Sequence, residues 1–229
     1  MKRTTAIHAA GLFLLVMMAL YVPGQKRLLS AREIDEKFSQ VWKSGLATRP
    51  NYTWKAKTEV IREDKTVQVL VEEVSCGPDG RQVSRVISNQ EAPLPSTIFI
   101  RQIAEDQKAK VVDFMKRLRA FLERYALTDD SLRHSFFSRA SIGLADANGQ
   151  LLVSGTSVLT KGDRLNWWLE TSLYSLTTAT ISTTFESYAV EFSATYGLLP
   201  GLNYMSQARI TVPAKNTVVK LLFYDYVKR

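Results

Sequence analysis

Two stretches in the C-terminal half of the chain decide the fold. Residues 162–171 read GDRLNWWLET, and residues 178–192 read TATISTTFESYAVEF. Large apolar residues occupy every second position in the first stretch, at Leu165, Trp167 and Leu169. This alternation predicts a β-strand with one buried face. A turn divides the second stretch, and the strand after it has the alternating residues Tyr188, Val190, Phe192, Ala194 and Tyr196. Together the two stretches predict an antiparallel sheet with an aromatic face.

The same pattern continues to the end of the chain. Short turn signals, among them Asn148-Gly149 and Leu199-Pro200-Gly201, separate successive apolar or alternating runs. The predicted strands span residues 150–159, 164–171, 176–185, 188–196, 208–212 and 216–227. Six strands joined by short turns predict an up-and-down meander.

The N-terminal half combines helices with a smaller meander. Ser30 and Glu33 form a capping box that begins an amphipathic helix, and Gly45 marks its end. Alternation predicts three strands, at residues 52–60, 67–72 and 81–88, and apolar stripes predict two helices, at residues 104–127 and 129–142. Helices segregated from antiparallel strands predict an α+β fold.

The first 24 residues resemble a secretory signal peptide. Lys2 and Arg3 precede the apolar run 9–22, and Pro23-Gly24 ends it. We therefore predict a signal peptide at residues 1–24 and a single domain at residues 25–229, with an uncleaved N-terminal anchor as the competing interpretation. Removal of the segment lowers the formal net charge from +8 to +6.

The single cysteine, Cys76, constrains the compartment and the chemistry. A secreted domain without disulfides fits a bacterial periplasm or cell envelope better than a eukaryotic extracellular space. Nucleophilic or metal-dependent catalysis needs paired His, Cys or carboxylate groups, and the mature chain has one histidine, His134. We predict no enzymatic activity and no cofactor. A pair formed by the dispersed carboxylates stays open as an alternative, that of a carboxylate-based hydrolase.

The helix at residues 104–127 has a basic face with interspersed acidic residues. The mixed charge favours a solvated face, while contact with an anionic membrane surface is the functional alternative. A secreted protein meets little nucleic acid, so we predict none as a partner.

The aromatic strand faces predict a binding cavity. A meander curved around amphipathic helices can leave an apolar gap between sheet and helix, although such stripes are more often plain core. The residues expected to line the gap come from the strands and from the long helix: Trp54, Leu165, Trp167, Phe192, Tyr196, Phe114, Leu118 and Phe121.

The order of these elements resembles the periplasmic outer-membrane lipoprotein carrier (LolA-like) family. The stretch GDRLNWWLET followed by TATISTTFESYAVEF is similar to a strand-turn-strand passage of that family, and YTWKAKTEV at residues 52–60 resembles its opening strand. The resemblance implies a strongly curved antiparallel β-sheet, an incomplete barrel of about nine or more strands, wrapped around amphipathic helices.

The resemblance and the missing catalytic set predict the same function. We expect a secreted, non-catalytic protein that holds a lipid, or an acyl chain of a lipoprotein, between the sheet and the helices. A structural or interaction protein of the envelope, with a filled core and no ligand, is the alternative.

Overall fold

The computed structural model describes residues 30–77, 81–92 and 98–229, with side chains from residue 109 onward in the last range. The predicted signal peptide lies outside the described residues. The helices are α1 (Ala31–Thr48), α2 (Ile98–Glu123) and α3 (Asp130–Arg139). The strands are β1 (Tyr52–Arg62), β2 (Lys65–Cys76), β3 (Gln82–Glu91), β4 (Ser141–Ile142), β5 (Gln150–Thr156), β6 (Arg164–Glu170), β7 (Ser175–Phe185), β8 (Tyr188–Leu199), β9 (Leu202–Val212) and β10 (Thr217–Lys228).

All ten strands described form one antiparallel sheet in the order β3-β2-β1-β10-β9-β8-β7-β6-β5-β4. Both predicted meanders are confirmed, and the last strand of the chain joins them by pairing with β1 from Tyr52↔Lys228 to Arg62↔Thr217. The sheet is curved and open, with β3 and β4 at its two edges. The predicted α+β fold is therefore confirmed, and residues 31–229 form one compact unit.

Two hairpins of the sheet turn on residue pairs without glycine. Glu63 and Asp64 have φ angles of 49° and 61°, and Glu186 and Ser187 have 47° and 68°. Positive φ at both central residues gives the turn whose twist matches that of paired strands. Both turns lie between strands that the sequence predicts.

The helices differ from the prediction at their ends. The long helix α2 begins at Ile98 rather than at residue 104. Asp129 caps the N-terminus of α3, which begins at Asp130. Its side chain accepts a 2.8 Å hydrogen bond from the Leu132 backbone N–H. The prediction of helix up to residue 142 is wrong in its last turn. Ser141 and Ile142 pair with β5 instead, so strand pairing overrides the local helical pattern.

An aromatic core joins α1 and α3 to the sheet. The Trp167 ring on β6 lies 4.9 Å from the Phe38 ring of α1 and 5.3 Å from the Phe136 ring of α3. Phe38, Phe136 and Trp167 are each at most 2% exposed. Burial of such rings contributes roughly 1.5–3 kcal/mol each, which fixes both helices on this face, called the helix-side face below.

A buried ion pair also joins the two helices. The Arg133 Nε donates a 2.8 Å hydrogen bond to Asp35 Oδ1, and both side chains are at most 3% exposed. The His134 Nδ1 contacts the other Asp35 oxygen. His134, the one histidine in residues 25–229, is 62% exposed and contacts this buried carboxylate from the protein surface.

Candidate functional site

Near its turn, the β8–β9 hairpin no longer pairs with the strands on either side of it, β7 and β10. β7 pairs with β8 from Phe185↔Tyr188 only as far as Thr178↔Thr195. On the other side, β9 pairs with β10 only as far as Gln207↔Leu222. The remaining part of the hairpin, residues 196–206, is called the hairpin tip. The sheet is thus split on either side of the hairpin tip.

The Asn203 amide bridges the split toward β7. Its Oδ1 accepts a 3.0 Å hydrogen bond from the Leu176 backbone N–H, and its Nδ2 donates to the Leu176 carbonyl at 3.0 Å. The same Nδ2 donates to the Gly197 carbonyl at 3.1 Å. One side chain therefore satisfies the Leu176 N–H and C=O groups that β8 leaves without a partner.

A cleft of about 570 Å³ opens at this split, between α1 and the hairpin tip. We call it the hairpin cleft. Its lining is mostly apolar and consists of Gln40, Val41, Ser44, Leu173, Ser175, Leu198, Leu199, Pro200, Gly201, Leu202 and Asn203. Leu173 and Leu198 are 50% and 52% exposed. Two half-exposed leucines beside an apolar cleft are typical of a binding surface.

A tightly packed cluster supports the hairpin cleft. Leu202 is 2% exposed and belongs to a buried cluster with Tyr52, Trp54, Ala56, Val74 and Cys76. Leu199 packs against the same cluster. The Trp54 ring stacks on the Tyr226 ring at 5.6 Å. The cleft residues Leu199 and Leu202 therefore pack against the first residues of β1 and the last residues of β2.

The absence of a side chain at Gly197 leaves room for the Tyr204 ring in the hairpin tip. A Cβ on Gly197 would lie 2.7 Å from the Tyr204 ring, closer than real Cβ contacts allow. The Tyr204 ring lies in turn 4.2 Å from the Tyr226 ring. A residue without a side chain is thus required for Tyr204 to reach the cluster.

Arg49 contributes positive charge near Tyr226, which packs against the cluster, and near Tyr196 of the hairpin tip. Burial raises the pKa of Tyr196 and of Tyr226, and the Arg49 charge opposes the rise in both. Tyr196 remains half-buried by surface area, but surrounding protein atoms are dense enough to disfavour its phenolate. Both hydroxyls therefore stay neutral near pH 7.

The predicted lining residues separate into several packed groups. Trp54, Leu165, Trp167, Phe114 and Leu118 are at most 6% exposed, and Phe121, Phe192 and Tyr196 are half-buried. The residues from α2 meet β7, with the Phe114 and Phe121 rings 5.6 Å and 5.1 Å from the Phe185 ring. None of the eight lines the hairpin cleft, but Trp54 belongs to its supporting cluster.

The sequence carried a signal for the cleft that the strand patterns did not use. Residues 198–202 read LLPGL, and they place three leucines around a turn. Turns are ordinarily polar, so an apolar turn indicates that it is covered or binds something.

The buried carboxylates have structural partners. Asp163 Oδ1 accepts from the Val158 N–H at 2.6 Å, and its Oδ2 accepts from the Leu159 and Thr160 N–H groups at 2.9 Å and 2.8 Å. Asp35 holds Arg133 as described above. Within the described ranges no group of three or more His, Cys, Asp or Glu side chains could hold a metal ion.

In the described part of the chain, no helix combines the length and the hydrophobicity needed to cross a bilayer.

No protein-family model matches the chain, and no curated protein matches it in sequence. Among solved structures, it is similar to a DUF1329 family protein from Desulfovibrio piger, with a TM-score of 0.43 and 9% identity. It is also similar to a LolA superfamily protein from Nitrosomonas europaea, with a TM-score of 0.38 and 10% identity. Each alignment covers 88% of this chain and 94% of the other.

Proposed function

We propose that the mature protein, residues 25–229, is a secreted and non-catalytic binding protein of the bacterial periplasm or cell envelope. It holds an apolar ligand, a lipid or an acyl chain of a lipoprotein, in the hairpin cleft. The observation that carries the proposal is the apolar lining of this cleft with two half-exposed leucines, Leu173 and Leu198.

The size of the cleft supports the proposal. Ligand sites in proteins typically enclose about 300–1,000 Å³, and the hairpin cleft has about 570 Å³. Its polar groups are few, with Gln40, Ser44, Ser175 and Asn203 among the lining side chains. The Asn203 amide is already engaged by the strands. Such a lining suits an acyl chain, which needs apolar contact and few hydrogen bonds.

The proposed ligand position differs from the one expected from the sequence. Of the eight residues expected there, Trp54 belongs to the packed cluster that supports the cleft. Five of the eight are nearly inaccessible to solvent, so an acyl chain would have to displace packed rings to reach them.

The burial of Trp54, Trp167 and three other expected lining residues also favours one alternative, that of an envelope interaction protein without a ligand. Native mass spectrometry and lipid extraction of protein purified from cells that express the full chain decide between the two. Co-purifying lipid and saturable binding of a fluorescent fatty probe support the carrier. If neither is detected, the carrier proposal is refuted and the interaction protein remains.

A matched pair of variants locates the ligand. Leu198→Asn removes apolar surface at the cleft, whereas Leu144→Asn changes a leucine that is 74% exposed and outside the lining. We expect L198N to weaken probe binding about tenfold, from about 1.4 kcal/mol of lost apolar contact, and L144N to leave it unchanged. Equal binding by both variants would place the ligand elsewhere.

A further inference from the structure

A basic groove of about 450 Å³ lies on the outer face of the sheet, opposite the helix-side face. Strand pairing aligns its side chains in two rows across β7, β8, β9, β10 and β1. One row is formed by Thr180, Ser193, Arg209, Lys220 and Glu59, and the next by Thr178, Thr195, Gln207, Leu222 and Lys57. We call these two rows the outer groove.

Two cations meet directly in the first row. Arg209 on β9 is the register partner of Lys220 on β10, and both side chains are exposed. Lys57 adds a third positive charge in the second row. In the part of the chain that the structure describes, none of the three has a carboxylate within 4.0 Å. Like charges directly opposite on a sheet are destabilising, so the fold itself does not explain this pair.

The groove has one acidic side chain at its border. Glu59 is the register partner of Lys220, and its Oε1 accepts a 3.1 Å hydrogen bond from the Thr66 hydroxyl. Three cations and one carboxylate leave a net charge of +2 in the groove. The Ser193 hydroxyl and the Gln207 amide add neutral hydrogen-bond donors between the charges.

An apolar side chain lies among the cations. Leu222 is 44% exposed, between Gln207 and Lys57 in the second row. A free inorganic anion gains nothing from an exposed leucine. A bilayer surface offers anionic headgroups for the cations and acyl-chain carbons for the leucine.

We propose that the outer groove is a docking surface for the headgroups of anionic phospholipids at a membrane. The proposal goes beyond ligand binding in the hairpin cleft and does not depend on it, since no residue lines both sites. The groove brings the protein to a bilayer, and the cleft holds the apolar ligand.

Vesicle sedimentation tests the proposal on protein purified from cells that express the full chain. Vesicles of phosphatidylcholine alone are compared with vesicles containing phosphatidylglycerol, at low salt and at 0.5 M salt. We expect binding to the phosphatidylglycerol vesicles only, and its loss at high salt because surface charges are then screened. Equal binding to both vesicle types would overturn the proposal.

Two double variants with the same change of net charge distinguish the groove from overall charge. R209Q/K220Q removes the facing cations, and K65Q/K161Q removes two exposed cations outside the groove, one at the start of β2 and one in the turn before β6. Each groove cation contributes about fivefold to binding, so R209Q/K220Q binds about 25-fold more weakly. We expect nearly native binding by K65Q/K161Q, and an equal loss in the two variants would refute a specific surface.

Three further readouts complete the design. We expect the melting temperature of R209Q/K220Q to be unchanged or higher, because the variant removes a repulsive pair. Probe binding in the hairpin cleft should stay native, so failure of the cleft proposal and failure of the groove proposal give different results. Millimolar inorganic phosphate should not release the protein from vesicles, and full release would indicate a soluble anion as the ligand instead.

Discussion

The Tyr125 hydroxyl donates a 2.6 Å hydrogen bond to Asp163 Oδ2 and thereby ties the end of α2 to the turn between β5 and β6. Both residues are 2% exposed. The same hydroxyl lies 2.9 Å from the Thr183 hydroxyl on β7. The long helix, which also packs through apolar side chains and forms an ion pair between Arg117 and Glu186, is thus anchored to the sheet at this point by a buried polar network.

Asp163→Asn should destabilise the protein strongly. Burial opposes ionisation of Asp163, but hydrogen bonds from Tyr125 and from the Thr160, Leu159 and Val158 amides outweigh it and hold the pKa of Asp163 below its usual range. The substitution replaces one carboxylate oxygen, which accepts hydrogen bonds, with an NH2 group, which donates them. This NH2 group would face the N–H and O–H donors that surround Asp163. We expect a loss of about 2–3 kcal/mol in the free energy of unfolding, measured by urea denaturation. Asp64→Asn, in an exposed hairpin turn that tolerates asparagine, is the matched control and should change it little.

The pH dependence of stability should reflect Tyr125. Burial, together with the hydrogen bond to Asp163, raises the pKa of Tyr125 to about 12 from its ordinary value of 10. The folded state therefore holds the proton more tightly than the unfolded state. The stability that this provides is complete below pH 10 and is lost as the pH rises through 12. Tyr125→Phe should flatten this alkaline loss in urea titrations between pH 9 and pH 12, and a parallel curve would contradict the assignment.

Asn203→Asp should loosen the hairpin tip. A carboxylate cannot donate the hydrogen bonds that Nδ2 makes to the Leu176 and Gly197 carbonyls. We expect a loss of about 1–3 kcal/mol in stability and faster hydrogen exchange of the Leu176 amide. Asn148→Asp, at an exposed turn, is the control and should leave that exchange rate unchanged. Native protection of Leu176 in N203D would show that the amide is not what bridges the split.

Gly197→Ala should disturb the support of the hairpin cleft. The new methyl group would lie 2.7 Å from the Tyr204 ring, which must then move away from Tyr226. Overpacking of this kind costs about 1–3 kcal/mol. We expect a lower melting temperature and weaker binding of the fatty probe. Gly143→Ala, where the nearest atoms are at 3.6 Å and 3.7 Å, adds the same methyl group without a clash and should behave like the unsubstituted protein.

The strand patterns predicted most of the sheet because each face has its own chemistry. Trp167 and Leu169 face the buried side, while the residue between them faces outward. The alternation can therefore be read directly from the sequence. The turn signal Leu199-Pro200-Gly201 lies between β8 and β9, although both strands extend closer to it than predicted. The end of α3 was misplaced because pairing of Ser141 with Ser154 is a contact distant in sequence.

The candidate site was less predictable than the sheet. Aromatic alternation identified residues that point to the interior, but it could not tell a packed ring from one that lines a gap. Trp54 and Trp167 are packed because Tyr226 and Phe38, far away in sequence, fill the space beside them. The cleft arises where pairing stops, and the end of a strand pair leaves no periodic signal.

By itself the sequence determined the kinds of elements, their order and the side of each strand that is buried, because hydrophobic periodicity and turn chemistry are local properties. Tertiary structure alone decided three things: the pairing of β10 with β1, the split beside the hairpin tip, and the meeting of Arg209 with Lys220. Each of these depends on which distant strands become neighbours and in which register. That choice is made by the packing of the whole sheet, not by any single segment of the chain.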